Sequence, residues 1–270
     1  MLISKTEMLS YFFEDPKESI IERNLDDSLI EYFYLKKDAT IITSPQEVLN
    51  GCLLSGNISL VSKNKTYSLK QFDFFLLPPE INILMKTNSK ISEKCKLCLY
   101  RYKTDQNTNF NLEIKSFSPE EFVARGEFGS KGNITTYRTV WTAFRNSFFM
   151  SGFTNIPNKS LRRGVITSVN LEQDEDNDVK VYPHIHPEHP EIYIMCIDHI
   201  KYGITQYLIS REGDTVCKDL TNGDGVFFPG NLGHSNFARP FYKKLEYVMY
   251  MWIIPTFGKT ETVNPETLRI

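Results

Sequence analysis

No histidine precedes position 184; all five, His184, His186, His189, His199 and His234, fall between positions 184 and 234. Other things are scarce as well. There is no run of lysine and arginine able to track a phosphate backbone, and a formal net charge of −2 supplies no basic field, which argues against nucleic acid as a partner. No apolar stretch approaches the roughly 20 residues of a membrane-spanning helix. The N-terminal MLISKTEMLSYFFEDPKES lacks the charged region, apolar core and small-residue cleavage site of an export signal. A cytoplasmic protein without a membrane partner is the expectation. Cysteine is odd in number, at five (Cys52, Cys95, Cys98, Cys196, Cys217), which fits reduced thiols rather than a disulfide framework. The C-x-x-C of Cys95 and Cys98 has no second pair to complete a zinc site. It also lies in KCKLCLYRY, a strand-like run in which residues three apart face opposite sides, so buried structural thiols are expected there.

What is present is strand. Runs of β-branched and aromatic residues with period-two alternation recur between Gly, Asn, Asp and Pro clusters: DATIIT, SGNISLVS, TYSLKQFDFFLLPP, KLCLYRYK, GVITSV, EIYIMCI, GITQYLIS, DGVFFPG and EYVMYMWIIP. Helix is expected only within the first 25 residues, around SPEEFVARGE (118–127) and over TAFRNSF (142–148). The chain therefore reads as mainly β, a sandwich or barrel. Residues 66–79 and 216–229 repeat one order of strand, polar turn with Asp, aromatic pair and Pro. Two halves built on one repeated β unit follow, and the Gly-rich GEFGSKGN (126–133) between them sets the expected domains at 1–128 and 129–270.

The histidine-rich stretch VYPHIHPEHPEIYIM carries the chemistry. In a strand, His184 and His186 present both imidazoles on one face, a few ångströms apart, where they can share a metal ion. Pro187 and Pro190 cannot sit inside a sheet ladder, so the chain turns at PEHP and starts a new strand at Glu191, able to aim back at the histidines. His234 follows a strand that ends in Pro229 and a Gly/Asn-rich turn. Any one of these histidines alone reads as an ordinary packed or surface residue. Together, three imidazoles and a carboxylate form a ligand set for zinc, iron, manganese, nickel or cobalt, with coordination positions left for substrate. His189, between prolines, and His199, in a hairpin loop, are expected to be exposed.

The order H-x-H-x4-E followed by G-x5-P-x4-H resembles the two motifs of cupins, small β-barrels that hold a metal in their mouths. Gly223, Pro229 and His234 match the second motif, whereas Asn231 and Ala238 stand where cupins usually carry Gly and often Asn. The N-terminal half keeps Tyr67, Asp73 and Pro78 at scaffold positions but has no histidine, and so resembles a cupin repeat without a metal. A two-cupin chain of this length with HIHPEHPEIY spacing is similar to the 5-keto-4-deoxyuronate isomerase family, and more distantly to 5-deoxyglucuronate isomerase, which usually has a long insertion between the histidine pair and the glutamate. The similarity is strongest over residues 130–255. It implies one divalent transition metal per chain, zinc first, held by His184, His186, Glu191 and His234. It also implies a homo-oligomer, a hexamer in the family, acting on a sugar acid in uronate and pectin breakdown.

Ketol isomerisation needs a proton moved between carbons beside a carbonyl, with charge on oxygen stabilised. Besides Glu191, the expected catalytic groups are Tyr193, on the Glu191 face of its strand, and Tyr250, on the neighbouring EYVMYMWII stripe. Arg138, Arg145, Arg162 and Arg163 are the local supply of cations for a substrate carboxylate. A metal-dependent cupin dioxygenase and a non-catalytic sugar-binding cupin are the alternatives. No helix-turn-helix pattern is appended that would make the latter a transcriptional sensor.

Overall fold

The computed structural model describes residues 3–15, 22–25, 28–87, 95–103, 110–116, 123–128, 134–144, 148–154, 170–173, 179–182, 185, 190–197, 204–238 and 247–253. These fall into two units, one of residues 16–118 and the other of residues 119–254 together with the first 15.

Every sheet is antiparallel. In the first unit the strands are β2 (Glu22–Leu25), β3 (Ser28–Leu35), β4 (Ala39–Ile42), β5 (Glu47–Ser55), β6 (Ile58–Ser62), β7 (Lys65–Leu69), β8 (Phe74–Leu77), β9 (Asn82–Thr87), β10 (Cys95–Lys103) and β11 (Glu113–Lys115). They form a six-stranded sheet, β11-β8-β5-β10-β3-β2, and a four-stranded sheet, β4-β9-β6-β7. Leu49, Leu53, Phe75, Cys95, Leu97 and Leu99 from the first meet Ile41, Ile58, Leu60, Ile83 and Met85 from the second in one buried cluster. Cys95 lies in this core, and Cys98, three residues on and likewise buried, lies outside it, as the alternation of a strand requires. On the reverse face the equally buried Lys96 sets its ammonium over the rings of Tyr32 and Tyr34, at 5.0 and 5.7 Å.

The second unit begins with the chain's N-terminus. Helix α1 (Lys5–Ser10) is capped by Ser4, whose hydroxyl accepts from the Glu7 amide at 3.2 Å, and strand β1 (Phe12–Phe13) follows it. The remaining strands are β12 (Val123–Phe128), β13 (Ile134–Phe144), β14 (Phe148–Thr154), β15 (Asn170–Gln173), β16 (Val179–Tyr182), β17 (Glu191–Ile197), β18 (Ile204–Ile209), β19 (Thr215–Leu220), β20 (Gly225–Phe228), β21 (Gly233–Ala238) and β22 (Tyr247–Ile253). A seven-stranded sheet runs β1-β20-β17-β22-β14-β13-β12, alongside a three-stranded sheet β19-β18-β21 and a β15-β16 hairpin.

Three differences from expectation have physical causes. Helix was expected over 118–127 and 142–148, but of their described residues 123–127 lie in β12, 142–144 end β13 and Phe148 opens β14, where Phe144 pairs with Phe148. Both segments are short, and sheet pairing outweighs weak local helix propensity. GEFGSKGN (126–133) was expected to join domains; its described residues 126–128 pair with Tyr137, Thr136 and Ile134 within the second unit, and the division between the units falls at 118/119. The first 15 residues join the second unit instead of the first. Phe12 pairs with Val226 and Phe13 with Gly225, the Phe227 amide donates to the Tyr11 carbonyl at 3.0 Å, and Met8 and Phe12 enter the second core. Burial, and then the neighbouring carboxylate of Glu7, push the Tyr11 hydroxyl up to about 12, so it stays a donor to Glu7 Oε1 at 3.0 Å.

The internal repeat survives down to single hydrogen bonds. Between β7 and β8 the Asp73 carboxylate accepts from the Lys70 amide at 2.9 Å; between β19 and β20 Asp224 accepts from the Thr221 amide at 2.7 Å. The residue before each aspartate has positive φ, 65° at Phe72 and 87° at Gly223. Each turn also bonds to the adjacent strand in the same way: Phe72 donates to the Leu53 carbonyl and Asp73 accepts from the Leu53 amide, while Gly223 and Asp224 do the same with Met195. Aligning the repeats on these turns and on the strand registers makes Leu49 the counterpart of Glu191, Gly51 that of Tyr193, Phe75 that of Val226 and Ile83 that of His234.

One of these exchanges is testable by itself. A Cβ on Gly51 would lie 2.1 Å from Cζ of Phe75, so the ring occupies the space a side chain would take. Gly51→Ala should destabilise the protein by about 1–3 kcal/mol, the usual cost of overpacking, and lower the melting temperature. Adding Phe75→Val, which copies the second unit's small residue, should recover much of the loss. An unchanged melting temperature in Gly51→Ala would show that the ring yields freely.

Candidate functional site

Glu191 opens β17 directly after Pro190, and its Cα partner on β20 is Phe228. This is where a proline that cannot continue a ladder was expected to start a new strand. His234 is the second residue of β21, paired with Leu208, and the turn before it is closed by the Leu232 amide donating to the Pro229 carbonyl at 3.1 Å. Two elements far apart in sequence thus deliver one carboxylate and one imidazole to the same place. His234 Nε2 lies 3.5 Å from Glu191 Oε2, with 1% and 0% of the two side chains exposed.

The surroundings are apolar and aromatic. Tyr193, Met195, Val226, Phe228, Leu232, Tyr250 and Trp252 belong to one buried cluster. The Phe228 ring is tilted against the His234 imidazole at 4.5 Å, and Tyr193 stands at 4.6 Å from Tyr250 and edge-on to Phe228 at 5.2 Å. The Tyr193 hydroxyl donates to Glu191 Oε2. His234 Nδ1 is 3.4 Å from the Leu232 carbonyl oxygen. A carbonyl only accepts, so the tautomer that satisfies this contact keeps its proton on Nδ1 and turns the Nε2 lone pair toward Glu191. With Nε2 unprotonated, its lone pair and the carboxylate oxygen repel at this distance unless a cation lies between them; a proton on Nε2 would make the contact an ion pair instead. A metal ion shared by the two fits this donor set, because a coordinating imidazole is commonly held through its other ring nitrogen in this way.

The first unit provides an internal control. At the positions of Glu191 and His234 it has Leu49 and Ile83, both fully buried in its apolar core. One copy of the repeat buries hydrocarbon where the other buries an acid and a base. Burying such groups is costly, and packing does not require it, since the first unit fills the same positions with apolar side chains.

Among the described residues no third His, Cys, Asp or Glu joins this pair. The side chains of His184 and His186 lie outside the described residues, as do His189, His199, Arg145, Arg162, Arg163 and the run GVITSV. Of that stretch Ile185 is described, and it is half-buried. Arg138 sits in β13 opposite Arg125, with its side chain outside the described residues. Tyr250 is placed beside Tyr193 in the cluster, on the strand next to β17. Phe228 and Leu232, which hold the His234 ring, were not singled out from the sequence. The FF pair ahead of the Pro that recurs in both repeats was the available signal for Phe228, whereas a carbonyl contact such as that of Leu232 leaves no mark on a sequence. Among the described residues no helix is long and apolar enough to cross a membrane.

No family model matches the sequence, and no curated protein matches it significantly. Solved structures do match. A putative glyoxylate-induced protein of Pseudomonas aeruginosa superimposes with a TM-score of 0.56 at 10% identity, covering 91% of this chain and 83% of its own. An IolB-like protein of Salmonella typhimurium gives 0.55 at 12% identity, covering 90% and 91%. HEPD of Streptomyces albus, with 2-hydroxyethylphosphonate and Fe(II) bound, gives 0.55 at 6% identity, covering 99% and 77%. At these identities the similarity concerns the fold. The chain is a mainly β protein of two tandem cupin-type barrels.

Proposed function

We propose that this chain is a metal-dependent ketol isomerase that interconverts 5-keto-4-deoxyuronate and 3-deoxy-D-glycero-2,5-hexodiulosonate. The observation that carries the reading is the buried Glu191–His234 pair, which replaces Leu49 and Ile83 of the repeat; in sequence, Glu191 follows His184 and His186 by seven and five residues. These four residues would hold one divalent transition metal, zinc first. When bound, it would polarise the substrate carbonyl and hold the neighbouring hydroxyl.

The chain's own residues account for the rest. Phe228, Met195, Val226 and Trp252 form an apolar wall that keeps water from the reacting carbons, which strengthens every charge interaction inside. Tyr250 is the hydroxyl assigned to moving the proton between the two carbons, since it lies in the cluster beside the pair. Arg138, Arg145, Arg162 and Arg163 are the cations from which one would be drawn to grip the substrate carboxylate. A cytoplasmic homo-oligomer, a hexamer as in the family it resembles, is part of the proposal. The reaction conserves atoms and electrons within one molecule, so it needs neither oxygen nor nicotinamide.

The fold and the IolB-like neighbour are consistent with this reading and with the sister substrate, 5-deoxyglucuronate. The test is to incubate metal-replete protein with each uronate and to follow product by NMR while recording dissolved oxygen. Turnover of 5-keto-4-deoxyuronate without oxygen loss is expected. Failure with both uronates would end the isomerase reading, and oxygen uptake with another substrate would favour a dioxygenase in its place.

A further inference from the structure

We infer that Tyr193 is a positioning residue for Glu191 and not a hydroxyl that faces substrate. The inference rests on the metal-site reading above and changes the role expected for this tyrosine. Along β17, Glu191 and Tyr193 are two residues apart and so share one face of the strand. That spacing lets the phenol reach back to the carboxylate, and its hydroxyl donates to Glu191 Oε2, the oxygen that lies 3.5 Å from His234 Nε2. A phenol that spends its proton on this oxygen fixes the rotation of the carboxylate and presents a defined edge to His234. Carboxylate groups that bind metals are commonly held by a hydrogen bond of this kind.

The ring has little freedom to do anything else. Only 1% of Tyr193 is exposed, and the ring is packed against Tyr250 at 4.6 Å, Phe228 at 5.2 Å and the His234 imidazole at 6.0 Å. Its cross-strand neighbour Val226 is small enough to leave room for it.

The repeat supplies independent support. In the first unit the carboxylate position is Leu49 and the tyrosine position is Gly51, two residues on, with the Phe75 ring filling the vacated space. Acid and tyrosine are therefore present together in one barrel and absent together from the other. An aromatic ring is kept at this level of both cores, so packing alone explains a ring. It does not explain why the ring that stands beside the acid carries a hydroxyl.

The experiment uses the full chain and cobalt(II) as the probe, titrated into metal-free protein, with affinity and the visible d–d absorption as readouts. Tyr193→Phe keeps the ring and removes the donor. It should weaken cobalt binding by about 10–100-fold and alter the absorption bands. On a Glu191→Gln background the same change should add little, because the two residues act as one unit. Circular dichroism of the metal-free variants establishes that they are folded. Should Tyr193→Phe not fold, Tyr193→Met, which also lacks the donor and adapts its packing, carries the same expectation. Unchanged affinity and spectrum, or fully additive losses with Glu191→Gln, would overturn the assignment. Wild-type protein that takes up no cobalt would overturn the metal reading itself, a result visible before any substitution is made.

Discussion

Replacing Glu191 by glutamine should lower turnover of the uronate by at least about 100-fold, the upper range seen when even an outer partner of a metal ligand is removed, while the protein remains folded. The amide is nearly the same size and shape as the carboxylate, so the packing around a residue with 0% exposure is preserved. What is lost is the negative charge. An amide is a weaker ligand for a divalent cation and no longer offsets its charge, so the metal is held less firmly and its pull on a substrate carbonyl is altered. With His234 in the neutral tautomer assigned above, the glutamine leaves no uncompensated charge behind and relieves the cost of burying a carboxylate in the metal-free fold. Glu191→Gln should therefore separate activity from stability: kcat falls steeply, and the melting temperature of the metal-free protein does not fall with it. Turnover within a few-fold of wild type would remove Glu191 from the site.

The second large effect concerns the other end of the chain. Deleting residues 1–15 should unfold the second unit or leave it loosely packed. Met8, Phe12 and Phe13 are at most 8% exposed, and full burial of such side chains stabilises by about 1.5–3 kcal/mol each, or about 5–9 kcal/mol for the three. That is comparable with the whole stability of a typical domain, about 5–15 kcal/mol. The ion pairs that join this segment to the same unit, Lys5 to Asp214 at 3.2 Å and Lys218 to Glu14 at 3.1 Å, are largely exposed and matter little beside it. The strand also serves the site: Phe12 lies next to Val226, which lies next to Tyr193, so β1 is the edge of the sheet that presents Glu191. Near-ultraviolet circular dichroism and a thermal melt of the truncated chain read the effect, and a synthetic peptide of residues 1–15 added in trans should restore part of it. A truncated protein that melts within a few degrees of the full chain would show that the segment is dispensable.

Much of this architecture was legible because strand alternation and turn chemistry are local. The runs DATIIT, KLCLYRYK, EIYIMCI and EYVMYMWIIP each contain a strand within about a residue of where periodicity puts it, as expected for boundaries read from pattern. The repeat was visible in its aspartates and prolines, and Asp73 and Asp224 do close equivalent turns. The docking of Phe12 and Phe13 on β20 was not legible, because it joins residues more than 200 apart and nothing in SYFFED marks its partner. The helix expected at 118–127 and 142–148 was misread for a related reason: Glu, Ala and Arg favour helix locally, and only the pairing of β12 with β13 and of β13 with β14 shows the described residues 123–127, 142–144 and 148 to be strand. At the site, Glu191 and His234 could be named from their spacing to prolines and glycines. The hydrogen bond from Tyr193 could not, since period two states that two residues share a face and not which of them bonds the other.

If the second unit alone holds a metal, as proposed, elemental analysis of the purified, reconstituted protein shows it most directly. About one divalent transition metal per chain is expected in the wild type, and close to none after His184→Ala with His186→Ala, because two of the four proposed ligands are then gone. An absence of metal in reconstituted wild type, or full occupancy retained by the double variant, would contradict it.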